Sequence, residues 1–358
     1  MAINKVVYGG DTLVDLTGDT VKPEVLSKGY TAHGADGEPI VGTMDAGAGG
    51  GGDAVADALV SGTLTEYESD TISAIRQSAF RDYINLASVK CPQLVDVGAY
   101  AFYGCSALTE ADFQKLTRIP DQMFANCSKL NTVNMPKVTS IGTHAFNNCT
   151  KLTGVNLPLV REIGAYIFYN SGVIAAEFPL LTEIPTNAFA SSASLTAINL
   201  PEVLNVGDQV FNQCQVLTNI NLPLATGIGN NAFNTCIALE KVCFPSATSI
   251  GNNAFYGCKA LSVVDLPVAT SFGTKVFYNC SSLKAVVLRS STLCQLADTY
   301  TFNNTLISSG SGYVYVPYAL AYQYQTATNW SKISAQIRWL ESYTVDGTVT
   351  GELDESKI

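Results

Sequence analysis

The stretch IGTHAFNNCTKLTGVNLP, residues 141–158, decides the fold, because most of the chain is made of copies of it. Its phenylalanine, Phe146, has counterparts at Phe80, Phe102, Phe124, Phe168, Phe189, Phe211, Phe233, Phe255 and Phe277. The spacing is 22 residues throughout, apart from one 21-residue step into Phe189, and a divergent copy follows at Phe302. Self-similarity at a short constant period marks a solenoid, a stack of units none of which can bury its apolar face alone.

Aligned on phenylalanine, the units approach I-G-x-x-A-F-x-x-C-x-x-L-x-x-V-x-L-P. Five residues before each Phe stands an apolar residue, as at Ile119, Ile141 and Ile163. The next position holds seven glycines, Pro120 and Pro185, which reads as a backbone turn. Phe, the Cys three places on and the Leu six places on would share one side of a short helical or 3₁₀ turn. The segment after it, Leu152 to Pro158, alternates apolar and polar residues and reads as a short strand. Proline ends that strand in eight units because it cannot donate to a ladder. The expected fold class is therefore an α/β repeat solenoid of about ten 22-residue units. A parallel sheet would form one wall, roughly 45–50 Å along the stack at ~4.8 Å per strand. Helical or 3₁₀ turns would form the other.

These residues resemble the BspA-type leucine-rich repeat family, whose AFxxCxxLxxVxLP core the copies between about 70 and 290 carry. The resemblance implies a leucine-rich-repeat solenoid with a role in adhesion or protein recognition. It implies no catalytic residues.

Outside the repeats the chain divides further. Residues 1–44 read as a small attachment module. Their stretch KGYTAHGADGEPIVGT, residues 28–43, is similar to segments near the ends of tail and fibre proteins of prophages in Gram-positive bacteria. Residues 45–53 are a Gly-rich linker. Their glycines do not form a phosphate loop, since no strand precedes them and no Lys-Ser/Thr follows. Residues 54–79 are expected as an N-terminal capping turn, 80–300 as the solenoid, 301–343 as a C-terminal cap and 344–358 as a flexible acidic tail.

Composition narrows the function. The chain has 358 residues, 47% of them hydrophobic and 14% charged, with a formal net charge of −10. Lys and Arg form no run, which speaks against nucleic acid as a partner. No apolar stretch approaches the ~20 residues of a membrane span, and no secretory signal is evident at the N-terminus.

Ten cysteines are present, and seven share one column: Cys105, Cys127, Cys149, Cys214, Cys236, Cys258 and Cys280. Ser171 and Ser192 occupy the equivalent slot in two adjacent units, so the slot asks for a small side chain. Without CxxC pairs or neighbouring histidines zinc is not expected, and the column reads as buried free thiols. His144 falls in a column otherwise filled by residues such as Tyr100, Gln122, Tyr166 and Asn253, which reads as solvent-facing. With His33 the only other histidine, no catalytic constellation can be assembled on the repeats. No catalytic, cofactor or metal residues are expected.

The candidate ligand-binding residues are the polar ones between the two apolar positions of each strand: Asp112, Asn134, Asn156, Glu177, Asn199, Asn221 and Asp265. They would tile one face of the sheet, and carboxamides suit glycan hydroxyls or a peptide backbone. A plain solvated strand face with stacked amides is the competing reading. Two further candidates are the tyrosines after the Phe column (Tyr103, Tyr169, Tyr256, Tyr278) and the aromatic C-terminal segment (Tyr313, Tyr315, Tyr318, Tyr322, Tyr324, Trp330). The expectation is a non-catalytic recognition protein of a phage or prophage tail that binds a protein or glycan on a bacterial surface, with the N-terminal module joining it to the particle. The alternative is a BspA-like adhesin on the bacterial cell surface that binds host or bacterial proteins.

Overall fold

The computed structural model describes residues 65–340. Beyond them it describes only three pairs of short antiparallel strands: Lys5–Tyr8 with Asp11–Asp15, Thr31–His33 with Pro39–Val41, and Thr344–Val345 with Thr348–Val349. Apart from those pairs, the expected attachment module, the linker, the start of the capping turn and the acidic tail lie outside the described residues.

Residues 65–340 wind into a parallel-sheet solenoid of about 12 turns, more than the ten repeat units. The difference lies at the ends. Glu66–Glu68 pairs in parallel with Ser88–Lys90 ahead of the first phenylalanine. At the other end Tyr313–Pro317 and Ile337–Leu340 extend the sheet past Ala285–Val287. Between these, Glu110–Asp112 pairs with Thr132–Asn134, and Ala175–Glu177, Ala197–Asn199 and Asn219–Asn221 pair in turn, each strand in register with the one a coil away. The middle residues of the strands point inward: Val89, Ala111, Ile198 and Val264 are buried, and Val133, Val155 and Ile220 are half-buried against the core. That alternation is the period-two pattern of the strand segment expressed in three dimensions.

A second parallel ladder, absent from the sequence reading, runs along the column five residues before each Phe. It is built of two-residue strands such as Ser140–Ile141, Glu162–Ile163 and Ile250 with Ser249. The glycine that follows, at the start of the turn, also lets consecutive coils close up. A Cβ on Gly229 would lie 2.4 Å from the carbonyl oxygen of Gly207, and one on Gly98 would lie 2.2 Å from the amide nitrogen of Gln77.

The wall around the Phe column is built of short 3₁₀-type turns, the second of the two forms expected. Its amides alternate between two partners. Asn147 and Cys149 donate to His144 and Phe146 at 3.2 Å, the i→i−3 bond of a 3₁₀ turn. His144, Phe146 and Asn148 instead donate to the next coil, at Ala165, Ile167 and Tyr169, all at 2.9 Å. A helix would consume every amide internally, whereas this wall divides them between coil and neighbour. The division is possible because every fourth residue is left-handed, as at His144 (φ 56°) and Asn148 (φ 60°). Twenty non-glycine residues adopt positive φ among those described, nearly all in these two columns.

The core is a continuous aromatic stack. Consecutive rings from Phe80 to Phe302 lie 5.0–5.8 Å apart, and all are buried. Tyr67 covers one end, 5.1 Å from Phe80, and Trp330 the other, 5.7 Å from Phe302. Such end cover is required wherever the last repeat would face water. The 21-residue step is absorbed between Ser171 and Val173, where Gly172 passes so close to the coil below that a Cβ would sit 2.3 Å from the Thr150 carbonyl oxygen.

The cysteine column belongs to the same core. Each of the seven thiols is free, buried and donates to a phenylalanine carbonyl of the preceding coil, from Cys105 on Phe80 to Cys280 on Phe255, at 3.0–3.1 Å. Ser192 makes the equivalent bond to Phe168 at 2.7 Å. The slot therefore selects a small donor, not merely a small side chain. Burial pushes the Cys127, Cys149, Cys236 and Cys258 thiols well up, and that of Cys214 to about 12.

Candidate functional site

Each inward strand residue is flanked by two outward ones, so the strand wall presents two parallel rows to solvent. One row carries the residues singled out above. Asp112 pairs with Asn134, and Glu177, Asn199 and Asn221 follow in register. Asn156 follows Gly154–Val155 directly, and Asp265 pairs with Cys243 on one side and Val287 on the other. Asn134, Asn156, Glu177, Asn199 and Asn221 are exposed, while Asp112 and Asp265 are half-buried. The second row is lean through the middle, with Thr132, Gly154, Ala175, Ala197 and Asn219 all exposed. Between Thr132 and Asn221 the result is a strip of small and amide side chains in which Glu177 is the one charged residue.

Bonding within the row is uneven. Asn134 donates from Nδ2 to Asp112 Oδ1 at 3.1 Å, and Gln114 Nε2 also donates to that oxygen. Asn221 donates to Asn199 Oδ1 at 3.5 Å. Asp265 accepts from Arg289, an ion pair about a quarter exposed on either side chain. Among the described residues, the Asn156 amide and the Glu177 carboxylate have no protein partner. The amide ladder expected along the strands thus forms at two steps and leaves the centre of the row open. Along one edge of the strip, Thr109, Thr196, Thr218 and Ser262 each donate to a carbonyl one coil back, which ties that edge down.

At its C-terminal end the face changes character. Ala285 and Val287 point outward yet are fully buried. Tyr313 and Tyr315 lie beside them, with Tyr315 paired to Arg338 and the Arg338 guanidinium 4.3 Å from the Tyr313 ring. Burial raises the Tyr315 hydroxyl above its usual range, aided by Tyr313 and opposed by Arg338. Column alignment could not place these side chains on the face, because the 22-residue phase ends at Phe277 and the next Phe comes 25 residues later. A signal was available in the alternation Tyr313-Val-Tyr-Val-Pro317, which repeats the strand pattern. The exposed Cys243, the one exposed thiol among the described residues, sits in the same row.

The aromatic C-terminal segment separates into two groups. Tyr324 and Trp330 are core: the Tyr324 hydroxyl accepts from the Cys294 amide at 2.9 Å, and Trp330 Nε1 donates to the Cys294 carbonyl at 2.7 Å. Tyr318 and Tyr322 are each 75% exposed, and Tyr318 meets Trp339 edge-on.

His144 is not solvent-facing. It is half-buried, its ring stacked on Tyr166 at 4.6 Å and 4°, and its Nδ1 is enclosed without a hydrogen-bond partner. The other histidine, His33, ends the strand Thr31–His33, outside residues 65–340. Among them, no group of three His, Cys, Asp or Glu side chains is arranged to hold a metal ion, and no helix is long and apolar enough to cross a membrane.

With the geometry established, comparison with known proteins adds the ancestry of the fold. The family model of the BspA type leucine rich repeat region matches residues 63–175 and 182–309 in six copies, more than half of the chain. A search of curated proteins found no match. Among solved structures, a leucine-rich repeat protein from Bacteroides ovatus is similar with a TM-score of 0.57 and 21% identity over 70% of each chain, which supports the fold alone. A leucine rich cell surface protein from Faecalibacterium prausnitzii shares 25% identity over 64% of this chain and 80% of its own, with a TM-score of 0.37. The pneumococcal vaccine antigen PcpA covers 93% of this chain and 85% of its own at 15% identity, with a TM-score of 0.47.

Proposed function

The chain belongs to the BspA-type leucine-rich repeat family, and on that premise we propose that it is a non-catalytic recognition protein whose strand wall holds a cell-surface ligand. One observation carries this reading. Asn156, Glu177 and Asn199 stand in a single row on adjacent strands of a rigid wall, exposed, with the amide of Asn156 and the carboxylate of Glu177 unpartnered among the described residues. Groups held by paired strands keep their spacing better than groups on loops. The small residues beside them, Gly154, Ala175 and Ala197, allow a ligand to reach the row without displacing side chains. Carboxamides offer both donors and acceptors, which fits a peptide backbone or sugar hydroxyls.

The setting we infer is a phage or prophage tail, with residues 1–44 as the attachment module; the similarity of residues 28–43 to tail and fibre proteins supports it. The second reading is an adhesin on a bacterial cell surface, favoured by family membership. Detecting the protein by mass spectrometry in purified particles supports the first, and detecting it in the cell-wall fraction supports the second.

The binding surface is tested with two variants in a cell-binding assay. Asn156→Ala with Asn199→Ala should weaken binding by about tenfold or more, at ~1.4 kcal/mol per decade. Tyr318→Ala with Tyr322→Ala, on the exposed cap, should bind as the parent does. Full binding by a folded Asn156/Asn199 double variant would show that the strand row is not the site.

A further inference from the structure

A depression of about 650 Å³ opens on the turn wall, away from the strand face, over the coils that carry Gln213 to Asn304. Its origin can be read from one column. Two places after each Phe, Asn126, Asn148 and Asn170 form a ladder in which each Nδ2 donates to the preceding Oδ1 at 2.8 Å. The column then runs Ser191, Gln213, Thr235 and Gly257 before asparagine returns at Asn279 and Asn304. Gly257 has no side chain to contribute, and the Thr235 hydroxyl is turned onto the Asn234 carbonyl at 2.8 Å. The ladder is therefore interrupted for four coils, and the two of them with no side chain reaching outward, at Thr235 and Gly257, lie within the hollow.

The groups around the hollow are neutral hydrogen-bonding ones with a single ring and a single cation. Gln213 and Gln215 border one end, and their side-chain amides have no protein partner among the described residues. Asn279 and Asn304 border the other, with Asn304 Nδ2 donating to Asn279 Oδ1 at 2.6 Å and Asn279 Nδ2 donating to the Tyr256 hydroxyl at 3.5 Å. Tyr256 also lines the hollow, and its ring is backed by Tyr278 at 5.2 Å and 6°. The ring is thus held from one face by stacking and from its hydroxyl by the asparagine pair. Lys259 is the one charged residue of the lining.

We propose that this hollow is a binding site for a neutral oligosaccharide, separate from the strand face. Sugar hydroxyls both donate and accept, and the primary amide is the side chain that answers both from one group. A ring held rigid at low entropic cost, with a polar tip, is the usual partner for the apolar C–H face of a sugar. An anionic ligand would find one cation, and an apolar ligand would find Ile237 and one tyrosine among amides and hydroxyls. Coils recur at ~4.8 Å, so Gln213 and Asn304, four coils apart, delimit a groove on the order of 20 Å long. That length accommodates several linked pyranose rings and not one.

The experiment is saturation-transfer NMR on the full chain with three neutral probes at millimolar concentration: maltotetraose, cellotetraose and tetra-N-acetylchitotetraose. At least one should receive saturation, and titration of that sugar should show affinity about tenfold weaker for Gln215→Ala and for Tyr256→Leu. The Asn156→Ala/Asn199→Ala variant of the strand face should bind it as the parent does, which keeps this test independent of the previous one. Gln215 lies on the surface, so its variant carries the test even if Tyr256→Leu fails to fold. No transfer to any of the three sugars, unchanged affinity in Gln215→Ala, or loss of the sugar in the strand-face variant would each overturn the proposal.

Discussion

Cys214 shows how much chemistry one buried position can hold. Its thiol donates to the Phe189 carbonyl at 3.1 Å, and burial raises it from an ordinary value of 9.0 to about 12. The unfolded chain therefore loses this proton from about pH 9 upward while the folded chain keeps it until about pH 12. Stability from the group is complete below pH 9 and drains away across that window, at ~1.4 kcal/mol per pH unit for one thiol. Cys91 and Cys294 behave in the same direction, also reaching about 12 through burial. Alkaline titration followed by circular dichroism should show a steep loss of stability above pH 9. Cys214→Ser should fold, since Ser192 already makes the equivalent bond, and its alkaline limb should be shallower by about one proton's worth. An unchanged limb would mean that the thiol ionises in the folded protein as freely as in the unfolded one.

At the scale of the element, the coils are held together by backbone groups as much as by side chains. Where the alternation of amide partners leaves a backbone donor over, a side chain of the coil below accepts it: Asp208 from the Asn230 amide, Asn230 from Asn252 and Asn252 from Thr274, at 2.7–2.8 Å. This closeness makes two glycines respond in opposite ways to the same change. A Cβ on Gly229 would meet backbone atoms of the coil below at 2.4–2.8 Å, so Gly229→Ala must separate two coils and should cost about 1–3 kcal/mol. Gly154, on an exposed strand position, has nothing within 4 Å of such a Cβ. Gly154→Ala should stabilise by about 0.5–1 kcal/mol, by reducing the freedom of the unfolded chain. Thermal unfolding of the two variants checks both signs. A Gly229→Ala protein as stable as its parent would contradict the close approach.

The molecule as a whole behaves as a stack whose ends matter. Trp330 closes the phenylalanine stack on Phe302, is only 1% exposed, and stands edge-on to Tyr324 at 4.9 Å. Trp330→Ala should cost about 3–5 kcal/mol. In a one-dimensional array that loss falls first on the neighbouring coils. Hydrogen exchange should accelerate in residues 285–340 while the amides of 88–134 keep their protection. Phe146→Ala, in the middle of the stack, should instead expose coils on both sides of it. Uniform loss of protection along the chain in the Trp330 variant would indicate that the solenoid unfolds as one unit.

The 22-residue period was enough to establish the solenoid, the parallel strand wall, the buried Phe and Cys columns and the row from Asp112 to Asp265, because a stacked coil turns sequence spacing directly into spatial columns. The division of amides between a coil and its neighbour was not legible. It depends on left-handed residues at His144 and Asn148; the Asn148 column, rich in Asn and Gly, carried a signal of positive φ, whereas the His144 column, which also holds Tyr, Gln, Lys and Ser, did not. The second role of the glycine column, close approach of the coils, was also hidden, since a turn alone would select the same residue. The tertiary structure alone decided that His144 is half-buried against Tyr166, that Tyr324 is core while Tyr322 is exposed, and that Tyr313, Tyr315 and Arg338 join the strand face. It alone decided, too, that the absence of amide side chains at Thr235 and Gly257 coincides with a hollow. These facts rest on contacts between coils, and on a C-terminal segment that leaves the repeat phase. A column read along one chain tells which residues are neighbours, but packing and hydrogen bonding decide which of those neighbours meet water.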